Sequence, residues 1–439
     1  MHSANNMNHQ QNIDQRDRHV PVNLRQSGDP GIQMLMSTRV RKSPYWHLSV
    51  EAGCWRATVY NRMYHPRGYV RPEDGGAMIE YRALINDVTL WNVAVERPIR
   101  VKGPDAEAFC DYVCTRDVTR VAPMRGRYVV LCDAEGHVLN DPVMLRLSYD
   151  EFWFTISDSD LAYWFKGVNI ARDFDVTIDE IDVSPLQIQG PKSEALMIDL
   201  VGEGVREIPY YGLMAGIIDG VDVIVSQTGF TGEKGYEVYA YDSTVNAETV
   251  WNAILRAGEP HDLMVIAPAH HRRIAAGILS YGQDMDHETN PFQCNLGHMV
   301  PRKKQADYIG KAALEQTREQ IKAGTPPFTH QLVGLRLGGK PVEDYAADFW
   351  LLARDADSEP CGYITSPWYC PELDINIAMG YVPVEDAALG TDFVAWLPEV
   401  YQPMPGYPVA AEVVDMPFRE SVNKSSREQA KAHGRDYAY

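Results

Sequence analysis

The chain has 439 residues, of which 45% are hydrophobic and 23% charged, and its formal net charge is -19. Those fractions exclude a disordered chain, and the length calls for more than one domain. The acidic balance, 41 Lys and Arg against 60 Asp and Glu, argues against nucleic acid or an anionic membrane as the main partner, while leaving room for a local basic pocket. No apolar run approaches the roughly 18 residues of a membrane helix. The opening stretch, MHSANNMNHQQNIDQRDRHVP, is polar and lacks the apolar core of a secretory signal, so a cytoplasmic protein is expected. Seven cysteines without CxxC spacing favour neither a disulfide framework nor a zinc knuckle.

Residues 1–40 lack periodicity and read as a flexible N-terminal arm. RPIRVKG (97–103) reads as a strand, and Gly103-Pro104-Asp105 as a helix opening with Pro in the first turn. Cys110 and Cys114, on one face with Ala106, Phe109 and Val113, read as core thiols. Residues 128–147 form a hairpin pattern turning at AEGH, and 157–171 an amphipathic helix led by capping Ser and Asp. Gly190-Pro191-Lys192 repeats the helix-opening pattern. Residues 221–241 read as strand, glycine turn, strand, and 248–258 as a helix ending at Gly258. From residue 331 short strands between Gly and Pro punctuation (LVGLRLGGKPV, NIAMGYV, FVAWLP, PVAAEVVD) predict a small all-β domain to residue 418, followed by a tail over 419–439.

Three stretches carry candidate chemistry. In Ser226–Tyr239, Gly229, Gly232 and Gly235 allow a sharp turn and close backbone approach to a ligand. On the strand that follows, Glu237 and Tyr239 share one face and Tyr236 and Val238 the other. A carboxylate fixed there can accept two parallel N–H bonds, such as a pterin or guanine edge offers; the alternative is a hairpin turn with a surface Glu. In Asn140-Asp141-Pro142, Asp141 is either a turn cap or a site carboxylate near a reacting nitrogen. In residues 268–284, Ile274, Ile278 and Tyr281 fit the buried stripe of a helix, and Arg272 or Arg273 could face an anionic ligand. His270 and His271 are adjacent and so point about 100° apart on a helix, and no metal site is expected.

Together with GPDAEAF (103–109), EGHVLNDPV (135–143), LQIQGPKSEALM (186–197), ILSYGQDM (278–285), NPFQCNLG (290–297) and DYIGKAAL (307–314), these stretches occur in the order found in one family. The chain resembles the folate-dependent aminomethyltransferases, the glycine cleavage T-protein family. Through ATVYNRM (57–63), residues 83–106, SDSDLAYWFKG (157–167) and RRIAAGILSYG it is most similar to the dimethylsulfoniopropionate demethylase-like branch. Pro268-Ala-His-His and Ala275-Ala-Gly depart from the amino-acid-handling T-protein, and Cys54-Trp55-Arg56 departs from the demethylase pattern. Asp307 stands where the folate-binding iron–sulfur maintenance proteins carry a motif cysteine.

The resemblance implies an α+β, T-protein-like cloverleaf: two mixed α/β subdomains around a folate cleft (41–330) and a C-terminal β-barrel domain (331–418). It implies a tetrahydrofolate-dependent one-carbon transferase that moves a methyl or methylene group from a small S-, O- or N-methylated substrate to tetrahydrofolate. The alternatives are a catabolic O-demethylase or methylene transferase for methoxy- or methylenedioxy-aromatic compounds, and a non-catalytic folate-binding protein. On this basis Asp141 and Tyr236 are candidate catalytic residues. Glu237, Asp141, Gly229, Gly232, Gly235, Tyr239 and Arg273 are candidates for holding tetrahydrofolate. Trp55, Tyr60, Trp164, Tyr210 and Tyr211 are candidates for an aromatic substrate wall, and His65 for a general acid. The expected partner is a small methylated or methylenedioxy substrate, and a homo-oligomer is compatible with the pattern.

Overall fold

The computed structural model describes residues 39–344, 350–397 and 407–419. The expected arm and tail therefore fall almost wholly outside the described residues. Two compact units are present. One takes in residues up to 269 together with 298–311; the other takes in 270–297 and the described residues from 312 onward. Residues 270–297, placed with the body by the sequence, thus cluster with the barrel.

The first unit is built on two sheets. A five-stranded antiparallel sheet runs Thr177–Glu180, Ile99–Lys102, Glu151–Thr155, Val143–Arg146, Arg125–Tyr128. The helices Ala106–Val113 and Leu161–Arg172 cover one face of it, burying Phe109, Phe152, Phe154 and Phe165. Cys110 and Cys114 are free and buried in this core, and burial pushes the Cys114 thiol up to about 12. A six-stranded sheet runs Leu213–Ile218, Val221–Ser226, Gly235–Tyr241, Val183–Gln189, Val88–Asn92, Leu263–Val265, antiparallel except for the last pair. Its strands alternate. Leu186, Ile188, Tyr236 and Val238 enter a core with Leu196, Trp251 and Ile254 of the helices Ser193–Val201 and Ser243–Gly258. The opposite face meets the five-stranded sheet across Leu145, Trp153, Val183, Leu213, Ile224 and Tyr239. One seam of apolar contacts therefore fastens the sheets together.

The Gly-Pro openings act differently from the expectation. The helices begin at Ala106 and Ser193, so Pro104 and Pro191 lie before them. The glycines matter more: a Cβ on Gly103 would meet Asp175 O at 2.3 Å, and one on Gly190 would meet Asp87 O at 2.5 Å. The helix over 248–258 starts earlier, at Ser243. The Leu161–Arg172 helix receives no side-chain cap from Asp160, whose carboxylate pairs with Arg62, and the preceding polar residues are committed elsewhere too. Ser157 donates to Asp141, Asn140 donates to the Ser159 hydroxyl, and Asp158 accepts from Asn61 N.

The second unit contains a closed barrel ordered His330–Leu337, Ile375–Pro383, Gly362–Cys370, Trp350–Ala353, Asp392–Leu397, Tyr407–Val414. The strands Trp350–Ala353 and Gly362–Cys370 were not read from the sequence. The long helix expected over 268–284 is also corrected. It spans His270–Ala275 and stops where Gly277 takes φ +71°, so Ile278 and Tyr281 form no helical stripe. The chain instead folds back to bring Asp284 to Arg273. Arg273 Nη1 donates to Asp284 Oδ2 at 2.5 Å, Thr365 and Ser366 donate to Oδ1, and Arg273 and Asp284 have fully buried side chains. Arg273 is therefore occupied inside its own unit, by Asp284, Gln283 and Ser366, which gives it a structural task in place of the expected anion-binding one.

Removing one member of such a buried, hydrogen-bonded pair leaves an uncompensated charge. Asp284→Ala is expected to lower stability by about 3–5 kcal/mol, measured by denaturant unfolding, with Asp284→Asn costing less.

Candidate active site

Glu237 lies in the Gly235–Tyr241 strand, opposite Gln187 on one neighbouring strand and Ser226 on the other. Strand alternation turns it, with Tyr239, toward the seam, and it is buried. Three donors hold its carboxylate. Gln187 Nε2 donates to Oε1 at 2.7 Å, while Thr228 Oγ1 and the Tyr239 hydroxyl donate to Oε2 at 2.5 and 2.6 Å. Burial raises the Glu237 carboxyl above the usual range, and these hydrogen bonds oppose that shift. Oε1 keeps capacity for a further donor. Buried beside it, Gln187 Oε1 has no hydrogen-bond partner among the described residues. A buried acceptor of that kind can be satisfied by an N–H donor of a bound ligand or by a water.

A second carboxyl borders this array. Glu96 ends the short 3-10 turn Ala94–Glu96 after the Val88–Asn92 strand. Its Oε1 lies 3.4 Å from Gln187 Nε2, so one amide group spans both acids. Burial, and then the charge of Glu237, push the Glu96 carboxyl well up.

Asp141 follows the Val138–Asn140 strand and is also buried. Ser157 Oγ donates to its Oδ1 at 2.5 Å and the Tyr128 hydroxyl to its Oδ2 at 2.8 Å. Asn140 locks the loop by donating to Ser157 O and accepting from Ser157 N. Asn61, at φ +50°, ties the same loop down with bonds to Val95 O and Ile156 O. Thr155 joins the two acid sites: its hydroxyl donates to Val143 O, near Asp141, and sits against the Tyr239 hydroxyl, which reaches Glu237.

The remaining candidates separate. Tyr236 is corrected: it points to the helix-covered face, fully buried with Leu186 and Val238, the opposite side of the sheet from Glu237. Trp164 is corrected too, since it packs against the core of the five-stranded sheet. Gly229 and Gly235 serve Gln189 where a ligand was expected; a Cβ on either would fall 2.2–2.4 Å from its amide. Gln189 in turn bonds Thr228 O, Tyr236 O and the Thr231 hydroxyl. Gly232 takes φ +72° and makes the turn. The Trp55 ring is approached by Arg56 and Arg71, 4.4 and 5.4 Å from its centroid, and its Nε1 donates to Val70 O. Tyr60 stands beside Asp141 and Ser157, with burial and the Asp141 charge raising its hydroxyl, and it tilts against His65 at 5.9 Å. Burial and the Arg67 charge keep His65 neutral. Tyr210 and Tyr211 meet edge to face at 4.5 Å, and Tyr211 feels both Arg116 and Glu237. Among the described residues no three His, Cys, Asp or Glu side chains gather as a metal site, and no helix is long and apolar enough to cross a membrane.

Glu96, Gln187, Thr228, Tyr128 and Ser157 were missed as site residues. The alternation Leu186-Gln187-Ile188-Gln189 carried a signal for one of them, since two glutamines on the face away from Leu and Ile must bond something buried.

A family model described as GCVT N-terminal domain matches residues 46–304, and one described as glycine cleavage T-protein C-terminal barrel domain matches residues 330–419. The chain belongs to the glycine cleavage T-protein family. It is an enzyme of tetrahydrofolate-dependent one-carbon transfer. It is 35% identical over 370 residues to a dimethylsulfoniopropionate demethylase of Ruegeria pomeroyi, covering 84% of this chain and 96% of that one. It is 31% identical over 311 residues to an aminomethyltransferase of Thermotoga maritima, covering 69% and 80%. The fold is shared with the glycine cleavage system aminomethyltransferase T of Bartonella henselae, at a TM-score of 0.73 and 22% identity over 87% of this chain and 99% of that one.

The two tyrosines of the Gly235–Tyr241 strand provide a test. Tyr239→Phe removes a donor from a buried carboxylate and is expected to weaken folate binding roughly 10- to 100-fold, whereas Tyr236→Phe, on the far face, leaves it unchanged. Equilibrium titration of the two variants checks this.

Proposed function

We propose that the chain transfers a methyl or methylene group to tetrahydrofolate from a small S-, O- or N-methylated donor, in the manner indicated by the name of its demethylase relative. The observation that carries this reading is the buried Glu237 carboxylate, oriented by Gln187, Thr228 and Tyr239 and bordered by the unsatisfied Gln187 oxygen. Acceptors so placed suit the adjacent N–H groups of a pterin edge. When bound, tetrahydrofolate supplies the nucleophilic ring nitrogen that takes the one-carbon unit.

The protein's share is to orient and to hold a proton. Glu237 fixes the ring edge, and its three donors prevent it from turning. Asp141, with one hydrogen bond to each oxygen from Ser157 and Tyr128, is assigned to the reacting nitrogen, where its carboxylate takes up the displaced proton. Tyr60 and Tyr211 border the two acids and are assigned to the donor. A sulfonium or ammonium donor needs an electron-rich wall and no proton; an aryl ether needs an acid for its leaving oxygen. The setting proposed is cytoplasmic and the role catabolic.

Mass spectrometry of the folate after incubation with tetrahydrofolate and a donor panel tests the reading. The panel holds dimethylsulfoniopropionate, glycine betaine, methoxybenzoates and a methylenedioxy-aromatic. Methyl-folate from a sulfonium or ammonium donor is the expected result, product from an aromatic donor selects the aryl-ether alternative, and no product from any donor leaves a binding role. Glu237→Ala is expected to abolish folate binding while the circular dichroism spectrum stays unchanged; retained affinity overturns the assignment of Glu237.

A further inference from the structure

The Glu96–Gln187–Glu237 array has more hydrogen-bonding capacity than one clamping carboxylate requires. Gln187 gives its amide N–H groups to both acids, the shorter bond to Glu237. Its carbonyl oxygen is left buried and unsatisfied among the described residues. Among the described residues Glu96 receives only the long bond from Gln187, and it is half-buried, so its carboxyl is partly desolvated and poorly paired. Two carboxylates this close cannot both ionise cheaply, and the one with fewer donors keeps the proton. Glu237 has three donors and Glu96 has one, so the proton belongs to Glu96.

The groups around Glu96 support this. On the two strands packed against the Ala94–Glu96 turn stand Gln187 and, on Met63–Gly68, Tyr64, His65 and Arg67, while Glu237 and Tyr239 on the neighbouring Gly235–Tyr241 strand interact with Glu96 electrostatically. Glu237 raises the Glu96 carboxyl further, and His65 is held neutral. The adjacent Arg97 guanidinium is paired with Glu180, and Asp158 accepts from Asn61 N.

We propose that Glu96 is a second ring-reading group of the folate site, donating its carboxyl proton to a ring acceptor beside the N–H donors taken by Glu237 and by Gln187 Oε1. This rests on the reading of Glu237 as the folate clamp. An aminopyrimidinone edge presents adjacent N–H donors followed by an acceptor, and the array offers two acceptors followed by a donor. The donor exists only while Glu96 is protonated, so affinity is greatest on the acid side and falls as pH rises through the Glu96 carboxyl.

The test is calorimetric titration of the full chain with tetrahydrofolate across the pH range in which it stays folded. Wild type, Glu96→Gln, Glu96→Ala and Glu237→Ala are compared. The amide of Glu96→Gln keeps a donor that cannot titrate, so it should bind as tightly as wild type does at acid pH, with no loss as pH rises beyond that of tetrahydrofolate itself. Glu96→Ala should bind roughly 10- to 100-fold more weakly at acid pH. A wild-type pH profile superimposable on that of Glu96→Gln overturns the proposal, as does Glu96→Gln binding as weakly as Glu96→Ala. Glu237→Ala separates the two ideas: unchanged affinity in that variant removes the clamp itself, whereas lost affinity together with an inert Glu96 removes only the proton-donating role.

Discussion

The site depends on the antiparallel register of Val183–Gln189 between Gly235–Tyr241 and Val88–Asn92. That register sets Gln187 opposite Glu237. It also sends Leu186, Ile188, Tyr236 and Val238 to the opposite, helix-covered face. A slip of one residue would exchange the two sets, burying carboxylate and amides under the helices and exposing aliphatic side chains at the seam. The hydrophobic face therefore enforces the polar one: the core that Leu186 and Ile188 share with Leu196 and Trp251 decides where Gln187 and Glu237 sit.

Much of this was legible because strand periodicity is local. The opposed faces of Tyr236 and Glu237 follow from a period of two, as does the hairpin with its glycine turn. The assignment of a role to Tyr236 went against that same periodicity and rested on resemblance alone. The barrel strands Trp350–Ala353 and Gly362–Cys370 were not legible: Trp350 and Leu352 are a short apolar run, and the second strand carries Pro367 within it. The helix over 268–284 failed for a different reason. Its spacing was sound, but the buried Asp284 carboxylate collects Arg273, Ser280 N, Thr365 and Ser366, and contacts with residues far along the chain outweigh a weak local preference.

The glycine turn shows how a motif can point to the right place for the wrong reason. Gly229 and Gly235 were read as making room for a ligand, and the room they make is filled by Gln189. Gln189 nevertheless bonds the Thr228 carbonyl, and the Thr228 hydroxyl is one of the three donors on Glu237. The polar residues before the Leu161–Arg172 helix behave similarly. Ser157 is the right type for a cap, yet its hydroxyl is turned to Asp141, and single-residue preference cannot distinguish those outcomes.

The apolar seam between the two sheets has a consequence for how damage to this enzyme would present. Leu145 and Trp153 come from the five-stranded sheet, whose Val143–Arg146 strand begins two residues after Asp141, while Val183, Ile224 and Tyr239 come from the sheet that carries Glu237. Truncating Leu145, Val183 or Ile224 leaves the side-chain hydrogen bonds of both acids chemically intact but loosens the distance between them. Reactions that need two groups in line are steeply sensitive to such looseness. With the roles proposed for Asp141 and Glu237, lesions at the seam would therefore surface first as slow turnover in a folded protein, and a survey that scored only expression would pass them as silent.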